Sequence, residues 1–230
     1  MTKTFLQWCV GRAVLDQSPA EGVPLPSKEV ARDRVLDDNE LTQVILAARK
    51  IGGPYGGIVE FLALTGQRRE EVAHMTWDEL DLGRRVWTLP KSRTKNAKAH
   101  LVHLSEQAMA VLTHADPRGP YVFSLLGTKP FPGFSRTKRQ LDQLSGVRGW
   151  RLHDLRRTCV SGMARLGLAP HVADKILNHQ SGTISGVAAV YQRHDFLAER
   201  RQALDLWGAH VGALLNEVCH EHRIELKIVA

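Results

Sequence analysis

His153 and Arg156, three residues apart in the stretch RLHDLRRTC, are of types that can hold a phosphate. On a helix over 152–166 they share a face, with Cβ atoms roughly 5–6 Å apart. A guanidinium donates paired hydrogen bonds to phosphate oxygens and an imidazole adds another. Arg157 is rotated by about 100° and faces elsewhere. On this spacing alone a solvated helix face is the commoner reading. Four other segments change its weight. Arg68 follows the Thr-Gly break in LTGQRREEV, at a helix start. Lys95 lies in the basic stretch KSRTKNAKA, beside Lys91 and Lys98 as alternatives. His179 closes KILNH, and Tyr191 follows in VYQRHD.

Two arginines, two histidines, a lysine and a tyrosine suit phosphoryl transfer without a metal. A tyrosine hydroxyl can attack phosphorus. Fixed arginines stabilise the charge that builds on the non-bridging oxygens. A lysine can protonate the leaving 5′ oxygen. Each residue also has a plainer reading. Tyr191 could anchor an amphipathic helix, and His179 could be a helix C-terminal histidine favoured by the dipole. Lys95 could be one of several interchangeable phosphate contacts, and Glu71 could simply pair with a nearby cation. CHEH at 219–222 is not read as a metal site, because adjacent ligands without a second cluster rarely close a tetrahedron.

The 230-residue chain is 43% hydrophobic, enough for a core, and carries a formal net charge of +7. The charge is uneven: between Leu82 and Leu166 there are 16 Lys and Arg against 4 Asp and Glu. A basic middle fits a face that meets a polyanion. Three distant cysteines give no disulfide framework and suit a reducing cytoplasm. No apolar run reaches the roughly 18 residues of a membrane span, so no membrane partner is expected.

The positioning elements follow from the pattern. Residues 1–20, with Phe5, Trp8, Cys9 and Val10 as an apolar stripe, read as the stump of an N-terminal domain, and 21–36 as a proline-rich linker. Residues 37–216 form the main domain and 217–230 a tail. Asp37 and Asp38 can cap a helix carrying Leu41, Val44, Ile45 and Ala48. GGPYGG breaks it. IVEFLALTG is a buried helix ending at Gly66, and RREEVAHM a further helix. WDELDLGRR is a turn. RVWTLP and HLVHL alternate as a β-hairpin, and YVFS is a short strand. Helices follow after Ser105 and near 134–144, 152–166, 170–178 and 184–191. The last, at 195–216, aligns Phe196, Ala203, Trp207, Val211 and Leu214. Trp77, Trp87 and Trp207 belong to the core, and Trp150 packs beneath His153. His100 and His103, flanking a strand, are surface or DNA-backbone residues. The fold class is α+β, mainly helical with a small antiparallel sheet.

The order T-G-x-R-x-x-E, hairpin lysine, H-x-x-R, L-x-H and Tyr, over residues 37–215, resembles the catalytic domain of the tyrosine recombinases, the phage-type integrases. WTLPKSRTKNAKAHLVHLS, LNHQSG and YQRHDFLAERRQAL look most like integrases of prophages and genomic islands. The resemblance implies that Arg68 and Arg156 clamp the scissile phosphate and Lys95 is the general acid. It implies that His153 assists proton transfer from the tyrosine, His179 bonds a phosphate oxygen, Tyr191 is the nucleophile and Glu71 supports the site. It further implies cleavage through a 3′-phosphotyrosine with no cofactor, metal or ATP, on double-stranded DNA carrying attachment sites. The chain would be a monomer in solution and a homotetramer on DNA, with the helix after Tyr191 docking on a neighbour and DNA-bending accessory proteins assisting. Asn178 departs from a common glycine before the histidine, and a full DNA-clamping domain ahead of the catalytic one is not evident. Rival readings are a type IB topoisomerase, a truncated DNA-binding remnant without catalysis, and a helix-turn-helix regulator.

Overall fold

The computed structural model describes residues 2–24, 33–94, 97–178 and 195–229. The chain divides into two units, Met1–Asp33 and Arg34–Ala230. In the first, helix α1 (Thr2–Gly11) precedes a series of turns. Phe5 and Trp8 stack at 6.2 Å and Arg12 lies over the Trp8 ring. Both aromatics are more than half exposed, and within the expected stripe only Cys9 is buried. So small a unit has little interior in which to hide two large rings.

The second unit is organised around one apolar helix. Asp37 caps α2 (Asp38–Ile51) through a reciprocal capping box with Glu40. Gly52, at φ 65°, turns the chain directly into α3 (Gly53–Thr65). GGPYGG thus ends α2, as expected, and also opens α3. Pro54 sits in the first turn of α3, where its missing N–H costs nothing. Gly56 lets the two helices touch: a Cβ there would lie 2.4 Å from the Ala48 carbonyl oxygen. α3 is buried nearly all round and ends at Gly66, a left-handed cap at φ 64°.

A short helix α4 (Arg69–Ala73) and a 3₁₀ turn at Trp77–Glu79 lead into the sheet. The expected hairpin is present as β2 (Val86–Leu89) and β3 (His100–His103), antiparallel with Trp87 opposite Val102. A third strand, β1 (Leu80–Asp81), pairs with β2 inside the segment read as a turn. Two residues are too short to show an alternation. YVFS is not a strand: Tyr121 forms one isolated bridge with Thr76, and the backbone around it is irregular.

Helices α5 (Glu106–Thr113, capped by Ser105), α6 (Phe134–Ser145), α7 (Leu152–Arg165) and α8 (Pro170–Ile176) follow as the periodicity indicates. The helix expected at 184–191 lies outside the described residues. The last helix, α9 (Leu197–Val229), runs through the stretch read as a tail. Its apolar stripe is spent within the chain. Ala203, Trp207 and Val211 are fully buried, and Trp207 Nε1 donates to the Ala63 carbonyl of α3 at 2.9 Å. Ala203, Trp207 and Val211 of the stripe are thus core, while Phe196 and Leu214 are half-buried. Trp87 and Trp207 are core as expected, and Trp77 is half-buried against it. Among the described residues no helix is long and apolar enough to cross a membrane.

Candidate active site

Arg156 is the best-anchored of the predicted site residues. It sits in the second turn of α7, a helix begun by a capping box in which Asp154 accepts from the Arg151 backbone N–H at 2.8 Å. The side chain is only 4% exposed. Its Nη1 donates to Gly66 O at 2.8 Å and its Nη2 donates to Leu177 O. One guanidinium therefore ties α7 to the end of α3 and to the end of α8. Burial, and secondarily the Arg68 charge, lower its pKa to about 10, so it stays charged at neutral pH. A guanidinium has five N–H donors, and these two carbonyls take one each.

Arg68 is the residue that leads into α4. Its backbone N–H donates to Glu71 Oε2 at 3.1 Å and its Nη1 to Glu71 Oε1 at 2.9 Å. Glu71 is buried, which fixes the orientation of the half-exposed guanidinium. The supporting role expected of Glu71 thus has a geometry: one carboxylate closes the helix start and aims the arginine.

Arg68, Glu71 and His153 line one cleft of about 840 Å³, with Arg93, Thr94, Lys138 and Trp150 on its other walls. Arg156 is not in its lining. His153 and Arg156 share a helix but not an environment, because α7 turns from solvent to core between them: His153 is exposed and Arg156 buried. Desolvation lowers the His153 pKa, and the charges of Arg157, Arg156 and Arg68 add to this, so the ring is neutral at pH 7. Arg157 takes the lesser role expected of it, donating to Asp154 Oδ1 at 2.7 Å. Lys95, His179 and Tyr191 lie outside the described residues. Their neighbours in the chain bear on the site: Thr94 lines the cleft, and Leu177 holds Arg156.

Three residues escaped the sequence reading. Arg93 pairs with Glu79 and donates to Glu71 O at 2.5 Å, bracing the carboxylate that aims Arg68. Gln67 Nε2 bridges Thr65 O at 2.9 Å and Ile176 O at 3.0 Å. Lys138 Nζ lies 3.9 Å from the Trp150 ring centroid and donates to Trp150 O at 3.1 Å. That tryptophan lines the same cleft as His153, under Lys138. The two strand histidines are also not surface residues. His100 is 6% exposed and bonds Ile176 O, while His103 bonds Asp205 at 3.0 Å. The period-2 alternation with Val102 could have found His100, because both face inward.

Residues 34–196 match the phage integrase family. The chain belongs to the phage integrase family. This integrase is 29% identical over 154 residues to prophage integrase IntA of Escherichia coli (strain K12), with 65% of the chain aligned to 37% of that protein. It is 27% identical over 169 residues to the integrase of Salmonella phage P22, with 67% aligned to 42%. The chain thus spans about two fifths of the length of these curated relatives. Among solved structures it is similar to a lambda integrase (75-356) dimer bound to a COC' core site, with TM-score 0.61 at 15% identity over 80% of this chain and 71% of that one. XerA recombinase gives TM-score 0.55 at 23% identity over 76% and 67%. The shared architecture is a mostly helical fold with a small antiparallel sheet.

Proposed function

We propose that this integrase is a catalytic domain that cuts and rejoins double-stranded DNA through a 3′-phosphotyrosine. The observation that carries the reading is the Arg156 bridge. A charged, buried guanidinium joins the segment before Arg68 to the segment before His179, with Arg68 close enough to depress its pKa. Two arginines so converged suit a phosphodiester that passes through a more highly charged state.

In this reading the Tyr191 oxygen attacks phosphorus. A bond from that oxygen to phosphorus forms and the bond from phosphorus to the 5′ oxygen breaks. Lys95 gives a proton to the departing 5′ oxygen. Neutral His153 accepts the tyrosine proton, in keeping with its lowered pKa. Arg68, Arg156 and His179 hold the non-bridging oxygens. Rejoining runs the same steps backwards with the 5′ hydroxyl of a second duplex, so bond energy is retained without ATP, metal or cofactor. Exchange between two attachment sites uses four protomers, and accessory proteins that bend DNA are compatible with it. The protein acts on bacterial DNA at the nucleoid.

The test is a pool of nicked duplexes with randomised cores, incubated with the protein and resolved under denaturing conditions. Wild type should leave a covalent protein–DNA adduct, and Tyr191→Phe should leave none. An adduct that persists in Tyr191→Phe would refute the nucleophile. Its absence in the wild type would refute catalysis by this chain and leave the DNA-binding remnant.

A further inference from the structure

We propose that His100 is a positioning residue that, by holding the Ile176 carbonyl, fixes the end of α8 against Arg156 and so sets the clamp's geometry. The inference rests on the functional reading above and deepens it. α8 is a helix of seven residues, Pro170–Ile176, and its last carbonyls have no partners within the helix. The Leu177 and Asn178 backbone N–H groups take Ala173 O and Lys175 O, and side chains from three other segments hold the carbonyls of Ile176 and Leu177. Ile176 O accepts from Gln67 Nε2 and from His100 Nε2, each at 3.0 Å, and Leu177 O accepts from Arg156 Nη2. The two carbonyls belong to adjacent residues, so a shift at Ile176 moves the anchor of the guanidinium. A carbonyl can only accept, so the ring nitrogen facing it carries the hydrogen.

Where His100 lies in the chain gives the contact its reach. It is the first residue of β3, immediately after the basic turn that holds Lys95. Ile176 stands three residues before His179. One hydrogen bond thus joins the base of the lysine hairpin to the segment that leads to the second histidine. Burial, together with the charge of Arg200, lowers the His100 pKa to about 4. The ring is therefore a neutral donor at physiological pH. Arg200 itself donates to Leu101 O and fastens the same strand to α9. Gln67 still holds Ile176 O when His100 is replaced, so the fold tolerates the change while the alignment does not.

The experiment compares wild type, His100→Leu and His100→Gln on the random-core nicked duplex pool. Three quantities are read: the single-turnover rate of adduct formation, its final amplitude, and duplex affinity by fluorescence anisotropy. Leucine fills the space without a donor, and glutamine restores an N–H at similar reach. A sub-ångström displacement of a clamp predicts a rate about tenfold lower in His100→Leu, at full amplitude and with affinity within about twofold. His100→Gln should return to within about threefold of wild type. Equal rates in His100→Leu and wild type would overturn the proposal. So would a His100→Gln variant as slow as His100→Leu, or a loss of amplitude at unchanged rate, which marks a merely structural role. If the wild type forms no adduct, the functional reading fails and this inference fails with it. That outcome is read in the wild type alone, so the two failures stay distinct.

Discussion

Acidification should destabilise this integrase through His100 before its carboxylates titrate. A histidine in an unfolded chain has a pKa near 6.5, and in the folded protein burial holds His100 down at about 4. The folded state therefore binds its proton less readily than the unfolded state. Stability is complete above the unfolded pKa and is lost as pH falls from about 6.5 towards about 4. The linkage relation gives a loss of about 2 kcal/mol by pH 5 and about 3 kcal/mol by pH 4. For a domain of this size a loss of 2 kcal/mol lowers the melting temperature by roughly 4–8 °C. The carboxylates of Asp38 and Glu40, held below their ordinary values in part by hydrogen bonds from Arg165 and Arg34, titrate lower still. The assay is calorimetry of wild type and His100→Gln at half-unit steps from pH 7.5 to 4.5. Wild type should lose the extra several degrees between pH 6.5 and 5, and His100→Gln should keep only the smaller loss to which the lowered His153 pKa contributes. Parallel curves would refute the claim that His100 is buried as a neutral donor.

Other substitutions test other parts of the structure. Arg156→Leu removes the donors to Gly66 O and Leu177 O, and each orphaned carbonyl should cost about 1–3 kcal/mol in urea unfolding, with adduct formation falling as well. Gly162→Ala would place a Cβ 2.1 Å from the Trp207 ring, and overpacking there should cost about 1–3 kcal/mol in the same assay. His153 is held neutral by desolvation and neighbouring arginines. The wild-type cleavage rate should therefore decline at a lower pH than an ordinary histidine would give. His153→Gln should be slower throughout and lack that decline. Duplex affinity should fall at least tenfold between 50 and 200 mM salt, because each neutralised phosphate contributes a slope of about −0.9; a flat response would remove the basic middle from the DNA face.

What the sequence disclosed and what it withheld divide along physical lines. The capping box at Asp37, the all-round burial of α3 and the glycine cap at Gly66 depend on neighbours within a few residues, and local pattern reveals them. Arg68 and Glu71 were legible for the same reason, being three residues apart. GGPYGG ends α2 as read, but a plain break and a break that admits another helix at once look identical in sequence. Only the Ala48 carbonyl beside Gly56 distinguishes them. The carbonyls that receive Arg156 leave no trace in side-chain chemistry, since every residue has one. The burial of His100 was available from its alternation with Val102, but its polarity outweighed that pattern. Strand β1 was lost through brevity alone.

The Arg156 bridge also bears on safety. On the reading proposed above, a protein that cuts DNA must not do so half-assembled. Residues 66, 156 and 177 are remote in sequence, yet a single side chain spans all three. A local opening of the α3 terminus, of α7 or of the α8 terminus breaks the same cross-link. Such openings have free energies below that of global unfolding, and here each of them disarms the clamp. Under that reading the bridge would work as an interlock: the groups proposed to open the DNA are aligned only while the three segments that Arg156 joins are docked.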